Sequence, residues 1–292
     1  MRARIWGCRG SLAAPGPETV RYGGNTSCVE VRLDDGTAIV LDAGTGIRPL
    51  GLQLDREQVK VVHLLLSHLH MDHLQGLGFF RPIYDAGVEL HVWGPPSTVQ
   101  SLDDRIGAYL SPPLFPVSLS EIPSKLFFHD APDAPWQIGS ASVLAVTVAH
   151  QGPTLGYHIE EGGRSLAYIP DHEPSIGVDL RSLGEDWLSG HAVAREADVL
   201  IHDAQYSEEE YPHHVGWGHS SIEHVVTFAQ LAKVKRLLLF HHDPHHSDEE
   251  LDALCVRARE LWPDCGDRLA VGAEGMEIVL SALPSEPSLI DR

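Results

Sequence analysis

Residues 68–73 (HLHMDH) bring three histidines and one aspartate together in one short run. Imidazole nitrogens and carboxylate oxygens are ligands that zinc and several other divalent metals accept. One metal ion cannot readily take all four donors from so short a loop, whereas two adjacent ions can divide them. The run therefore predicts a two-metal centre, and the alternative is an exposed polar turn.

The run must be positioned by the segment before it, residues 64–67 (LLLS), which predicts the end of a buried strand. Similar short, apolar segments bounded by Gly, Pro or Asp recur along the chain and dominate its first third. Helical periodicity is clearest after His219, where Ser220 or Ser221 caps the helix, and after Ser247, where an acidic start suits the helix dipole. This mixture predicts an α+β layered architecture.

The chain length of 292 residues suits one large domain. We expect a single domain over residues 1–281 and a loose tail over residues 282–292. Residues 110–136 are rich in proline and aromatic side chains. This composition favours either a lid beside the metal centre or, equally, a plain surface connection.

The chain is acidic, with a formal net charge of −20 at neutral pH. Such a charge disfavours DNA, RNA and anionic membranes. A small anionic substrate remains compatible, because bound cations reverse the local potential. No apolar stretch reaches the roughly 18 residues of a membrane-spanning helix. The cysteines form no C-x-x-C pair, and with no visible leader they predict reduced thiols in a cytoplasmic protein.

The histidine-rich run resembles the H-x-H-x-D-H signature of the metallo-β-lactamase superfamily. Residues 40–46 (VLDAGTG) are similar to the early strand and glycine turn of that family, and the resemblance extends over nearly the whole chain. It implies an αββα four-layer sandwich, in which two stacked sheets lie between outer helices. Within the glycine turn, we expect Asp42 either to orient a ligating imidazole or only to shape the turn.

The same resemblance implies seven ligands for two cations, bridged by one carboxylate and by a water or hydroxide. His150, Asp171 and His241 each follow a strand-like segment, and Asp179 and His242 are the rivals of the last two. Nitrogen and oxygen ligands suit zinc, with manganese and iron as alternatives. The implied ligands are His68, His70 and His150 at the first site, Asp72, His73 and His241 at the second site, and Asp171 as the bridge.

A second group of residues resembles the phosphodiesterase branch of the superfamily, which includes RNase Z and the cyclic phosphodiesterase of phosphonate breakdown. Residues 197–206 (ADVLIHDAQY) and 216–221 (GWGHSS) carry this resemblance. It implies that Asp203, where the endonuclease usually has Glu, orients His219 and raises its pKa. His219 would then stabilise the phosphate oxygens or protonate the leaving oxygen, or else it only caps its helix. With the ligand Asp72, this pair completes the predicted catalytic residues.

The predicted function is hydrolysis of a small phosphodiester, such as a cyclic nucleotide or a cyclic ribose phosphate, by attack of a metal-bridging hydroxide. The alternatives are a hydrolase of a lactone, lactam or thioester in the same fold, and a non-catalytic metal-binding sensor. We expect a small anionic substrate, no membrane and no nucleic acid polymer, because no basic arm for RNA is visible and the net charge opposes one. A homodimer is left open.

Overall fold

Two seven-stranded β-sheets form the centre of the computed structural model, which describes residues 1–280. The predicted tail over residues 282–292 lies outside the described residues. The first sheet has the strand order β14-β1-β2-β3-β4-β5-β6. Its strands are β1 (Arg2–Gly7), β2 (Cys28–Arg32), β3 (Ala38–Leu41), β4 (Val61–Leu65), β5 (Glu89–Gly94), β6 (Lys125–Asp130) and β14 (Glu277–Val279).

The second sheet has the order β13-β12-β11-β10-β9-β8-β7. Its strands are β7 (Trp136–Ile138), β8 (Ala141–Thr147), β9 (Leu155–Glu161), β10 (Arg164–Ile169), β11 (Val199–Asp203), β12 (Leu237–Phe240) and β13 (Leu269–Val271). The α-helices are α1 (Ile47–Arg56), α2 (Met71–Leu74), α3 (Leu102–Tyr109), α4 (His191–Ala194), α5 (Ile222–Leu231) and α6 (Asp248–Leu261). Among residues 1–280, no helix has the length and apolar character needed to cross a membrane.

Each sheet contains a run of parallel strands, and this arrangement creates the edge that carries the site. Strands β3 to β6 are parallel in the first sheet, and β10 to β13 are parallel in the second. β8 runs in the same direction as β10, because both are antiparallel to β9. β3, β11 and β12 are buried along their whole length, as expected for parallel strands covered on both faces.

Three apolar clusters define the layers. One lies between the sheets, where Leu41 and Leu65 of the first sheet share a cluster with Tyr157 and Ile159 of the second. The second joins the outer face of the second sheet to α4, α5 and α6, and the third joins the outer face of the first sheet to α1 and α3. The predicted αββα sandwich is therefore confirmed.

Part of the predicted lid is an edge strand. Residues 125–130 form β6, which pairs in parallel with β5 along its whole length. Before it, Phe115 is buried and packs edge-on against Phe79, with ring centroids 5.7 Å apart. Residues 125–130 therefore belong to the first sheet, and the lid stays a prediction for the rest of the 110–136 segment.

The two predicted helices begin close to their expected positions. In α5, the hydroxyl of Ser221 accepts a hydrogen bond from the backbone of His224. In α6, Ser247 and Glu250 form a reciprocal capping box. Because Ser221 is the N-cap, His219 lies outside the helix, and the alternative that it only caps α5 is excluded.

Candidate metal centre

The first group of donors combines both sheets. His68 and His70 lie in the loop after β4, His150 follows β8 and Asp171 follows β10. One donor atom from each lies within 4.8 Å of the others. Nε2 of His150 is 3.2 Å from Nδ1 of His70, and Oδ2 of Asp171 lies 3.7 Å from Nε2 of His68 and 3.6 Å from Nε2 of His150. Three nitrogens and one oxygen thus face one small space.

The second group lies against the other oxygen of Asp171. Asp72 and His73 belong to α2, and His241 follows β12. Nε2 of His73 is 2.9 Å from Oδ1 of Asp171, and Nε2 of His241 is 3.3 Å from the same oxygen. Asp72 contributes Oδ2, at 3.1 Å from Nε2 of His241. Because its two oxygens face different groups, Asp171 has the geometry of a bridging carboxylate.

The structure separates both rivals from the centre. Asp179 caps a short 3₁₀ helix, and its side chain is 65% exposed. His242 is buried, but its Nε2 pairs with the carbonyl of Gly272 at 2.8 Å. Burial lowers the pKa of His242 to about 3, so its ring is held neutral in that contact. Asp171 and His241 are therefore the members of these pairs that face the other donors.

Outer hydrogen bonds fix which nitrogen faces the centre in three of the rings. Nδ1 of His68 pairs with the Ser67 hydroxyl at 3.0 Å, and Nδ1 of His150 pairs with the carbonyl of Gly218 at 2.7 Å. Nδ1 of His241 pairs with Oε1 of Gln205 at 3.2 Å. A ring that donates from Nδ1 presents an unprotonated Nε2, which is the state in which imidazole binds a metal.

The donor set fits divalent cations. Nε2 of His68 is buried without a hydrogen-bond partner, and a native protein rarely leaves such an atom unsatisfied. Burial alone would lower the pKa of His73, but the carboxylates of Asp171, Asp72 and Asp42 raise it well above its usual range. The space between the rings therefore stabilises positive charge, which a proton or a metal ion can supply.

Asp42 supports the loop of residues 68–73 through hydrogen bonds to Ser67 and His73. Its Oδ1 accepts from the backbone N–H of Ser67 at 2.7 Å, and its Oδ2 accepts from the Ser67 hydroxyl at 2.8 Å. The same Oδ2 also pairs with Nδ1 of His73 at 2.7 Å and accepts from the hydroxyl of Tyr168 at 2.8 Å. Asp42 thus makes the orienting contact of the two alternatives, and it is fully buried.

The backbone is strained at two positions of the centre. Asp42 and His241 both have positive φ, 61° and 58°, directly after β3 and β12. Residues other than Gly rarely adopt this conformation. Where they do, the surrounding contacts enforce it, and such residues are concentrated at functional sites. Gly10 packs on the His241 ring, since a Cβ there would lie 2.4 Å from ring atoms. The residue after Gly10 anchors Asp72, because the backbone N–H of Ser11 donates to Oδ2 of Asp72 at 2.7 Å.

Asp203 and His219 form a pair beside the two donor groups. Asp203 is fully buried at the end of β11, and its Oδ2 lies 2.7 Å from Nδ1 of His219. The His219 ring stacks on the His241 ring, with centroids 5.0 Å apart. Burial would lower the pKa of His219, but the charge and hydrogen bond of Asp203, with Asp171 and Asp72, raise it to about 9. Despite its shorter side chain, Asp203 reaches the histidine directly.

Several supporting residues were missed in the sequence. Gln205 accepts from His241 and also bonds to Ser11 and Asp243. Glu173 is buried and accepts from the loop before His219. His172 is buried and donates its backbone N–H to Asp203 at 3.0 Å. The only signal in the sequence is proximity, because Gln205 lies two positions after Asp203 and Glu173 two after Asp171.

Comparison with known proteins agrees with this geometry. A family model described as a β-lactamase superfamily domain matches residues 37–242, more than half of the chain. Ribonuclease Z of Crocosphaera subtropica is 24% identical over 286 residues, covering 82% of this chain and 89% of that protein. The chain therefore belongs to the β-lactamase superfamily, as the sequence predicted, and it is similar to members of the predicted RNase Z branch.

Two solved structures show the same fold. The metallo-β-lactamase fold protein YhfI from Bacillus subtilis superposes with a TM-score of 0.68 at 18% identity, covering 95% of this chain and 98% of that chain. The short form of human tRNase Z superposes with a TM-score of 0.64 at 20% identity, covering 97% of this chain and 100% of that chain.

The expectation that excluded a nucleic acid polymer is wrong. The similar proteins include ribonucleases Z from Crocosphaera subtropica and, at 24% identity over 298 residues, from Pyrococcus furiosus. The exclusion relied on the net charge of −20, which is a sum over the whole chain. Such a sum does not report the potential at a site whose donors bind cations. RNA therefore belongs among the substrates to be tested.

Proposed function

We propose that the protein is a metal-dependent phosphodiesterase with two cation sites that share Asp171. The observation that carries the proposal is the Asp203–His219 pair, which lies against His241 and at 3.9 Å from Oδ2 of Asp171. A metal-binding sensor has no need of a buried, carboxylate-held histidine beside its ligands. The similarity to ribonucleases Z supports the same class of bond.

The proposed ligands divide as the two donor groups do, with zinc as the expected metal and manganese or iron as alternatives. Asp72 belongs to the second group and also receives the backbone N–H of Ser11, so it connects that group to the loop before β2. When bound, two divalent cations would neutralise the phosphate and activate water. The ligands proposed are His68, His70 and His150 for one cation, Asp72, His73 and His241 for the other, and Asp171 for both.

The residues of the chain supply the proton chemistry. Asp203 accepts from Nδ1 of His219, so Nε2 is the ring nitrogen left to act on a substrate. Burial lowers the pKa of His219, but the charge and hydrogen bond of Asp203 outweigh this effect and raise that pKa, which favours the protonated ring. A cationic imidazole there can hydrogen-bond the phosphate oxygens as charge develops, and it can deliver its proton to the leaving oxygen.

The test uses the His219→Ala variant and bis-p-nitrophenyl phosphate. Wild type and variant are stripped with a chelator, reloaded with zinc and analysed for metal content. We expect turnover of the diester to fall by roughly 10²–10⁴ while metal content stays unchanged, because His219 acts on the substrate and not as a ligand. His245→Ala is the matched control, since the His245 side chain is 93% exposed.

Three results would contradict the proposal. Loss of metal from the His219→Ala variant would make His219 a ligand. Fast turnover of a lactone, lactam or thioester with no action on the diester would place the protein in another hydrolase class. Equal absence of activity in stripped and reloaded wild type, across the whole substrate panel, would favour a sensor.

The finer part of the proposal concerns the size of the substrate. The expected small diesters, a 2′,3′-cyclic nucleotide among them, are assayed beside a single-stranded RNA oligonucleotide under the same metal loading. We expect the cyclic nucleotide to be cleaved. If only the RNA oligonucleotide is cleaved, the expectation of a small substrate is wrong, whereas the phosphodiesterase proposal stands.

A further inference from the structure

One exposed aromatic side chain lies in the turn that leads into His219. Trp217 is 57% exposed, although indole rings usually bury most of their surface. It lies between Gly216 and Gly218, and we call residues 216–218 the Trp217 turn. An exposed tryptophan next to a proposed catalytic histidine requires a reason beyond packing.

The Trp217 turn is held in one conformation by a buried carboxylate. Oε1 of Glu173 accepts from the backbone N–H of Gly216 at 2.9 Å, and Oε2 accepts from the backbone N–H of Gly218 at 2.8 Å. Glu173 is 1% exposed and also accepts from the hydroxyl of Tyr211 at 2.6 Å. Hydrogen bonds to a buried carboxylate are strong, so the turn presents Trp217 with little conformational freedom.

The other side of the turn is tied to the metal centre. The carbonyl of Gly218 accepts from Nδ1 of the proposed ligand His150 at 2.7 Å, and the carbonyl of Gly216 accepts from Gln151 at 3.1 Å. Gly218 has a φ of +90°, and a Cβ there would lie 2.3 Å from Nδ1 of His150. The turn thus contacts the first donor group through the outer nitrogen of His150.

The indole ring itself has one aromatic neighbour among the described residues. His214 meets Trp217 edge-on, with centroids 4.8 Å apart and planes at 89°. The His214 ring stacks in turn on Tyr206 at 4.3 Å. With 57% of Trp217 still exposed, this single aromatic contact leaves a large part of the indole ring open to a ligand.

We propose that Trp217 binds the planar base of a nucleoside phosphodiester while the phosphate lies at the metal centre. This inference rests on the proposed function and adds the substrate class, a diester that carries a nucleobase. Stacking on an aromatic ring needs no charge, and any base can stack because every base has a flat face. Stacking can therefore add affinity for the base that is separate from the binding of the phosphate at the metal centre.

The test compares two diesters with the same leaving group. Thymidine 5′-p-nitrophenyl phosphate carries a base, and methyl p-nitrophenyl phosphate does not. In the zinc-loaded protein, we expect Trp217→Ala to lower kcat/KM for the thymidine diester about 10-fold more than for the methyl diester, the size of one base–aromatic stack. Trp217→Phe, which keeps a ring, should retain most of the difference between the substrates.

A matched variant and a binding measurement complete the design. Trp187→Ala removes another tryptophan, one that is 83% exposed and remote in sequence from the Trp217 turn, and it should leave the substrate ratio unchanged. Calorimetric binding of thymidine 5′-monophosphate to the zinc-loaded protein should weaken about 10-fold in Trp217→Ala. An equal loss for both diesters, or unchanged binding of the monophosphate, would overturn the inference.

The base site at Trp217 and the hydrolytic function can each be lost without the other. If wild type binds the monophosphate through Trp217 but hydrolyses no diester, the proposed function is wrong and the base site remains. A short single-stranded RNA oligonucleotide, cleaved by wild type and by Trp217→Ala, identifies the source of the base. A selective loss with RNA indicates a base within a polymer, whereas a loss with the thymidine diester alone indicates a mononucleotide.

Discussion

The two sheets contribute to the centre in different ways. The first sheet supplies its donors from one loop, residues 68–73, together with Asp42 below it. The second sheet supplies one residue from the end of each of several strands. These residues are His150, Asp171, Asp203 and His241.

The supports of the donors differ in the same way. In the first sheet, Asp42 alone holds the backbone of Ser67, its hydroxyl and the His73 ring. In the second sheet, each donor has a support of its own, such as Gly218 for His150 and Gln205 for His241. The loop of the first sheet is therefore one unit, whereas the donors of the second sheet are independent, apart from the bridging Asp171.

The largest loss of metal is expected for Asp171→Ala, because the two oxygens of Asp171 face the two donor groups. Both cation sites lose an oxygen, and we expect metal affinity to fall by more than the roughly 10–100-fold that removal of an outer-shell partner costs. Metal content per chain after dialysis measures the loss. Asp179→Ala, at an exposed aspartate, should keep its metal, and full metal content in Asp171→Ala would contradict the bridge.

The comparison becomes sharper with one supporting residue from each sheet. Asp42→Asn should lower metal affinity by about 100-fold, because both Ser67 and the His73 ring lose a contact, and Gln205→Ala by about 10-fold, because only the His241 ring does. Competition with a chromophoric chelator measures both values. Equal losses in the two variants would show that the loop of the first sheet is no more cooperative than the separate donors.

Asp42→Asn should also destabilise the metal-free fold. It leaves buried donors around Ser67 and Tyr168 without their charged acceptor, which costs about 1–3 kcal/mol in the free energy of unfolding. Urea denaturation in the presence of a chelator measures this difference. Unchanged stability would mean that water or a neighbouring side chain replaces the carboxylate.

The same contrast explains what the sequence was able to predict. Four donors within residues 68–73 leave few alternatives, so this half of the site follows from residue type and spacing alone. His150 and Asp171 are single polar residues after strands, and only the family resemblance selected them. His241 and His242 were ambiguous because β12 is buried on both faces, so no alternation shows which side chain turns inward.

Long-range contacts account for what the sequence did not predict. Glu173 and Gly218 are 45 positions apart, and no local pattern connects them. Residues 125–130 were expected to belong to a lid or to a surface connection because proline and aromatic residues surround them, and only pairing with β5 reveals the strand. The exclusion of RNA failed because a total charge averages over the surface.

The smallest effect concerns global stability. A ligand that binds only the folded state stabilises it by about 2.7 kcal/mol at 100 times its dissociation constant. We therefore expect zinc to raise the Tm of the stripped wild type, to raise it less in Gln205→Ala and least in Asp42→Asn at the same zinc concentration. Calorimetric scans measure this order, and the reverse order would place the cooperative support in the second sheet.

The most direct test of the two-cation centre is anomalous X-ray diffraction from crystals grown with zinc, collected on both sides of the zinc absorption edge. The account predicts two peaks on opposite sides of the Asp171 carboxylate, one among His68, His70 and His150 and the other among Asp72, His73 and His241. A single peak, or a peak held by the nearby group Asp203, His219 and His241, would contradict it.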